Sequence, residues 1–275
     1  MGVVIAVVNN KGGVGKTTAA CNLAHAVGLR GRRVLVVDLD PQANATALLL
    51  PHNLDRRYSL YELLAPETKA PSLTKFIYPS KYDGVFCLPN VPETASLEPE
   101  LILGAPASFL RLRRHLRDYA LREFDFVIID NPPNLGTFVL CALNTADFAL
   151  VPVKAGSAFS VAGLLKAVRL VNEVRTQSNN DLRVLRLLIN QVDKRTLISR
   201  SLTEQLFKAF RKDQIFRTSI PGNTAFEQAE AAGATIFRYN PRATGARAFE
   251  KLAQELLEIY SGSTIPLGRP HDVQS

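Results

Sequence analysis

The stretch that most constrains this chain runs from Val3 to Thr18. Val3-Val4-Ile5-Ala6-Val7-Val8 is short, continuously apolar and rich in β-branched residues. That is the pattern of a central strand in a parallel sheet covered on both faces. Asn9-Asn10-Lys11-Gly12-Gly13-Val14-Gly15-Lys16-Thr17-Thr18 follows, and residues 19–29 then read as a helix. A strand, a glycine-rich loop and a helix N-terminus in that order make a phosphate cradle. The glycines let backbone N–H groups converge on an anion, and the helix adds unpaired donors and the positive end of its dipole. In such a cradle Lys16 reaches the β- and γ-phosphates and the Thr17 hydroxyl ligates Mg²⁺.

The ordinary spacing, G-x-x-x-x-G-K-[ST], needs glycine at position 10, where Asn10 stands. K-G-G-x-G-K-T is present instead, with a second lysine, Lys11. The run Lys11-Gly12-Gly13-Val14-Gly15-Lys16-Thr17-Thr18 resembles the deviant Walker A loop of the ParA/MinD ATPases. Val37-Asp38-Leu39-Asp40-Pro41-Gln42 and Ile128-Ile129-Asp130-Asn131-Pro132-Pro133 narrow the resemblance to the ParA-type partition branch. It covers residues 3–257, thins between 51 and 106, and is absent from the final tail.

A chain of 275 residues that is 47% hydrophobic can bury a large core. It reads as one α/β domain over 1–260, with 51–106 as a loop-rich elaboration and 261–275 as a polar, disordered tail. No window is long and apolar enough to span a bilayer, and Met1 leads at once into strand and loop rather than a signal peptide. Cys21, Cys87 and Cys141 are far apart and form no C-x-x-C pair. A reduced cytosol and a structural role suit them. The net charge of +8 points to a polyanionic partner.

After the first helix, 34–37 reads as a second buried strand, with Asp38 and Asp40 at its carboxyl end, the edge where open α/β sheets bind ligands. Residues 51–106 hold eight of the sixteen prolines, and within them 59–64 reads as a short helix and 85–88 as a strand. Residues 108–122 read as a helix crowded with Arg111, Arg113, Arg114, Arg117 and Arg122, either a solvated face or a surface for nucleic acid or a partner. Strands follow at 126–130, 148–153 and 184–189, with helices at 137–145 and from Val161 to Val171. Pro132-Pro133 fixes the loop after Asp130. This alternation predicts a doubly wound, mostly parallel sheet with helices on both faces. A last helix over 246–260 sets Phe249, Leu252, Ala253, Leu256 and Tyr260 on one stripe and Glu250, Lys251, Glu255 and Glu258 on its polar face. A membrane-targeting helix carries lysine and arginine there, so no membrane partner is expected.

Phosphoryl transfer to water needs charge neutralisation and a positioned nucleophile. Lys16, the loop N–H groups and Mg²⁺ supply the first, and Asp40 and Asp130, each after a buried strand at the phosphate edge, are candidates for the second. The resemblance implies that Asp40 positions the attacking water near Mg²⁺ and that Asp130 lies in the metal's outer shell. Asp38 has either a supporting or a structural role. The resemblance also sends Lys11 across a two-fold interface onto the phosphates of the partner's ATP, making a homodimer depend on nucleotide. It sets Asn190 to hydrogen-bond the adenine, with Pro221 packing near the base.

Asp193-Lys194-Arg195-Thr196 resembles the stretch whose arginine the family uses for non-specific DNA binding. The family's other basic stretch, I-P-R-N-x-R, is here Ile220-Pro221-Gly222-Asn223-Thr224-Ala225, without either arginine. Arg195, Arg200, Arg217 and Arg238 are the candidate DNA contacts, with Arg211, Lys212 and Arg242 as further sources of charge. The function implied is an ATPase that dimerises on ATP, binds nucleoid DNA non-specifically in the cytoplasm and partitions a cargo. A ParB-like or adaptor protein would stimulate hydrolysis. The same loop also occurs in ATP-dependent metabolic ligases, in iron–sulfur-carrying ATPases, which need paired cysteines lacking here, and in MinD-like positioning ATPases.

Overall fold

In the first strand, β1 (Val3–Val7), alternate side chains enter two different cores. Val4 and Ala6 pack on one side of the sheet, and Val3, Ile5 and Val7 on the other. That two-sided burial is why the run carries no polar residue. The computed structural model describes residues 2–65, 72–155, 160–193 and 196–261. Arg195 and residues 262–275 lie outside the described residues, as do the side chains of Arg200 and Val161.

The element order is β1, α1 (Lys16–Gly28), β2 (Val34–Asp38), α2 (Asn44–Leu49), α3 (Leu60–Leu64), β3 (Tyr78–Pro79), β4 (Val85–Leu88), α4 (Glu98–Leu103), α5 (Arg111–Glu123), β5 (Phe126–Asp130), α6 (Thr137–Thr145), β6 (Phe148–Lys154), α7 (Ser160–Gln177), β7 (Arg183–Asn190), α8 (Leu197–Ala209), α9 (Thr224–Ala231), α10 (Ile236–Tyr239) and α11 (Thr244–Ser261). The strands form one seven-stranded sheet in the order β3-β4-β2-β5-β1-β6-β7. Every pairing is parallel except β3 with β4. The doubly wound sheet expected from the alternation is therefore present. α3, α5, α6 and α7 cover one face, and α1, α2, α10 and α11 cover the other.

Strand register decides which residues share the carboxyl edge. Val7 pairs with Asp130, Asp130 also with Asp38, and Lys154 with Asn190. The loop after β1 thus opens between the ends of β5 and β6. The outer edge of β7 is covered by residues 215–222. Phe216 N–H donates to Leu187 C=O and Ile220 N–H to Ile189 C=O, both at 2.9 Å, so the strand is not left as a bare pairing edge.

Three expectations change. α1 begins at Lys16 rather than 19, because the glycine loop folds straight into it and puts Lys16, Thr17 and Thr18 in its first turn. α2, α8 and α9 were not foreseen; α2 is a six-residue Ala/Leu segment too short to show a period, and α8 and α9 are started by Thr196 and Asn223, whose side chains accept from Ser199 and Ala225 N–H. On α5, Arg111, Arg113 and Arg117 are half-buried rather than set on a fully solvated face. They donate to the Leu64, Asn144 and Thr145 carbonyls, and Arg111 and Arg117 also pair with Glu100 and Asp147. They tie α5 to α3, α6 and the β6 entry, leaving Arg114 and Arg122 exposed.

Candidate functional site

The loop between β1 and α1 turns through two left-handed glycines, Gly13 (φ 69°) and Gly15 (φ 80°). Gly15 is required twice over. A Cβ there would be strained by its φ and would stand 2.4 Å from the Asn190 amide nitrogen. From the end of β7, Asn190 Nδ2 donates to Val14 C=O at 2.8 Å and Gln191 Nε2 to Gly13 C=O at 3.3 Å. The loop is thereby buttressed from the neighbouring strand.

Beside the loop lies a cleft of about 880 Å³, lined by Gly12, Gly13, Gly15, Lys16, Thr17 and Thr18 on one side. Asp40, Gln42 and Asn44 come from the β2–α2 turn, Pro133 follows β5, and Lys154, Asn190 and Gln191 stand at the ends of β6 and β7. Gly222, Asn223, Glu227 and Glu230 close the remaining wall. Lys11 is half-buried and does not belong to this lining.

Lys16 is only 7% exposed, and its ammonium donates to Lys11 C=O at 3.2 Å. Burial pulls its pKa down while Asp130 and Asp40 hold it up, so a cation is kept at the floor of the cleft by two carboxylates. Asp130 is fully buried, and the Thr17 hydroxyl stands near its carboxylate without completing a well-formed hydrogen bond. Burial, then the adjacent Asp38, push its pKa up, against the opposing pull of the Thr17 hydroxyl and Lys16. Asn9 Oδ1 and Asn131 Oδ1 are buried and unpartnered. Orphaned buried acceptors at the ends of adjacent strands mark a place prepared for donors or a cation.

Asp38 resolves differently. Its oxygens accept from Thr46 N–H (2.8 Å), Thr46 Oγ1 (2.7 Å) and Asp40 N–H (3.2 Å), so it pins the 40–46 segment to the end of β2. Asp40 accepts from Gln42 N–H at 3.0 Å and lines the cleft. Thr18 donates its hydroxyl to Glu230 at 2.5 Å.

Asn190 stands in the cleft wall at the end of β7, where its amide nitrogen donates to Val14 C=O and its carbonyl oxygen accepts from Gln191 N–H. Pro221 lies outside the cleft, in a neighbouring groove with Arg247, and Gly222 and Asn223 take the wall instead. Arg217 is 71% exposed, with its guanidinium on Glu258 at 2.6 Å and near Glu255 at 3.5 Å. Arg238 is exposed. The three thiols are buried and unbonded, with the Cys141 pKa pushed up to about 12 by burial. Gln42, Lys154, Glu227 and Glu230 were missed. Lys154, the last residue of β6, had a visible signal in its place at a strand end, whereas the others follow no motif.

A family model described as "AAA domain" matches residues 2–184. The chain is 34% identical to the sporulation initiation inhibitor protein Soj of Bacillus subtilis, over 93% of this chain and 98% of that one. It is 38% identical to the chromosome-partitioning ATPase Soj of Thermus thermophilus, over 92% and 94%. The chain belongs to the Soj/ParA family of chromosome-partitioning ATPases. Among solved structures, a Mycobacterium smegmatis protein titled cobyrinic acid a,c-diamide synthase, with bound ADP and magnesium, superposes with a TM-score of 0.79 at 29% identity, covering 98% of this chain and 100% of that one. Membership does not by itself say which surface residues of this chain meet a partner.

Proposed function

We propose that the chain is a Mg²⁺-dependent ATPase that dimerises on ATP, binds DNA without regard to sequence, and partitions a cargo when a ParB-like or adaptor protein stimulates hydrolysis. It would act in the cytoplasm, on the nucleoid. The observation that carries the reading is Lys16, a nearly buried cation at the floor of a glycine-lined cleft, faced by Asp40 and Asp130. The ADP and magnesium of the superposing structure support a nucleotide there.

The carboxylate oxygens of Asp130 and the Thr17 hydroxyl are hard donors that suit Mg²⁺. Thr17 would hold the ion, with Asp130 and Asp40 in its surroundings, and the ion would neutralise charge on the phosphoryl oxygens. Lys16 presents its ammonium to the β- and γ-phosphates. Asp40 orients the attacking water, and Asp38 holds Asp40 in place. Lys11, outside its own cleft, reaches the phosphates of the second protomer. Asp40→Ala should keep ATP bound, slow phosphate release, and let dimers accumulate in light scattering. Turnover at the wild-type rate would take the water-positioning role away from Asp40.

For DNA, Arg217 and Arg238 are both exposed, with Arg242, Arg247 and Lys251 exposed nearby on α10–α11; Arg195 and Arg200 stay as sequence-based candidates. The test is retention of random-sequence DNA with ATP against ADP, across salt. Retention should need ATP, and log affinity should fall linearly with log salt, by about 0.9 per phosphate neutralised. Arg195→Glu should flatten that slope by about one unit. Absence of retention at low salt would remove DNA from the account.

The cobyrinic acid a,c-diamide synthase title favours a second reading, an ATP-dependent ligase. Release of ammonia from glutamine needs a reactive thiolate, and burial raises all three thiols here. That chemistry would have to come from another protein. A MinD-like membrane switch fits less well, because Glu250 and Glu258 share the exposed side of α11 with Arg247 and Lys251.

A further inference from the structure

Glu230 is an exposed acidic residue in the wall of a cleft built for a polyanion. Its carboxylate is held at 2.5 Å by the hydroxyl of Thr18, in the first turn of α1. The helix that carries it is fixed at both ends. Asn223 caps the start of α9 through Ala225 N–H, Ala229 is buried one residue before Glu230, and Lys81 Nζ donates to Gly233 C=O at 2.8 Å just beyond the end. Glu230 therefore stands over the phosphate helix by construction.

A carboxylate there opposes a triphosphate unless it gains something from the ligand. An ionised carboxylate only accepts hydrogen bonds, and phosphate oxygens offer it none. The donors of an adenine nucleotide are the two ribose hydroxyls and the exocyclic amine. The ribose is joined directly to the α-phosphate, whereas the amine lies at the far edge of the base, so a carboxylate seated on the first turn of the phosphate helix stands at the depth of the sugar. Dinucleotide-binding sheets use an acidic residue for the same purpose.

We propose that Glu230 reads the ribose hydroxyls of the bound nucleotide, making the site selective for ribonucleotides over deoxyribonucleotides. The inference rests on the nucleotide reading above. Without ligand, Glu230 takes the Thr18 hydroxyl; on binding, it exchanges that partner for the sugar and leaves Thr18 to donate to phosphate. Sugar identity is thereby sensed by the same contact that closes α9 onto α1.

The test is the equilibrium affinity of the full chain, with Mg²⁺, for ATP, 2′-deoxy-ATP, 3′-deoxy-ATP and inosine triphosphate. Wild type is compared with Glu230→Ala, Glu230→Gln and Glu250→Ala. A hydrogen bond to a charged acceptor corresponds to about tenfold or more in affinity. Wild type should therefore prefer ATP to at least one deoxy analogue by about that factor. Glu230→Ala should bring the ratio to about one, Glu230→Gln should retain part of it, and Glu250→Ala, exposed on α11 and outside the cleft lining, should leave it unchanged. The unfolding midpoint without nucleotide should match wild type in all variants, since both positions are exposed. A wild-type ratio of one for both analogues, or an undiminished ratio in Glu230→Ala, would overturn the proposal. A change confined to the ATP/inosine triphosphate ratio would overturn it in favour of base contact. No binding of ATP by wild type would instead bring down the nucleotide reading itself.

Discussion

Lys16 and Lys11 sit five positions apart on one glycine loop, yet their surroundings give them different work. Lys16 is buried under the loop, bonded to the Lys11 carbonyl and flanked by two strand-end carboxylates. Lys11 is half-buried and outside the cleft. Lys16→Ala should weaken ATP binding by about ten- to a hundredfold, the value of a charge-assisted contact, while the fold survives. Lys11→Ala should leave ATP bound to the monomer but abolish the ATP dimer. Titration calorimetry and light scattering separate the two, and an undiminished dimer in Lys11→Ala would end the trans assignment. At this scale the sequence was most legible where a motif fixed both residue type and spacing. It was least legible for Glu230, an acidic residue in no motif, which only the packing of α9 against α1 brings to the Thr18 hydroxyl.

Elements were read well where burial imposes a period, and poorly where a polar side chain turns inward. On α11 the apolar stripe of Phe249, Leu252, Ala253 and Leu256 is buried as the spacing predicts. Glu255, assigned to the polar face, is 3% exposed and accepts from Arg217 N–H (2.9 Å) and Thr218 N–H (3.1 Å) while pairing with Arg186 at 2.8 Å. It satisfies backbone donors of the segment that covers β7, which is why a charge is tolerated there. Glu255→Ala leaves Arg186 and two amides unpaired and should cost about 3 kcal/mol or more. Glu250→Ala, one turn earlier and exposed, should stay within about 0.5 kcal/mol. Urea unfolding of both variants checks this; equal losses would mean that Glu255 is replaceable by water. The α5 arginines teach the same lesson, since a row of charges in sequence becomes a set of carbonyl clamps once α6 lies against it.

For the molecule as a whole, His25 sets an acid limit. It is buried in α1, stacked on Tyr82 at 4.2 Å and bonded to Thr235 Oγ1 at 2.7 Å. Burial lowers its pKa from 6.5 to about 4. The unfolded chain binds the proton first, so this contribution is complete above about pH 6.5 and is lost as pH falls towards 4, at most about 3 kcal/mol. The Asp38–Asp130 pair, raised by burial, acts in the opposite sense, its cost growing as pH rises. A difference measurement isolates the histidine. Between pH 4.5 and 7, wild type should lose stability on acidification more steeply than His25→Gln, and parallel curves would refute the assignment. The sequence by itself determined the parallel sheet, the phosphate loop and the two strand-end carboxylates, because continuous apolar runs and a glycine–lysine loop have few other ways to fold. Tertiary structure alone decided which charges stay outside. Arg111, Arg113, Arg117 and Glu255 look like surface residues in one dimension. Each is instead spent on a carbonyl, an amide or an opposite charge supplied by an element distant in the chain, and pairings over such separations leave no local pattern.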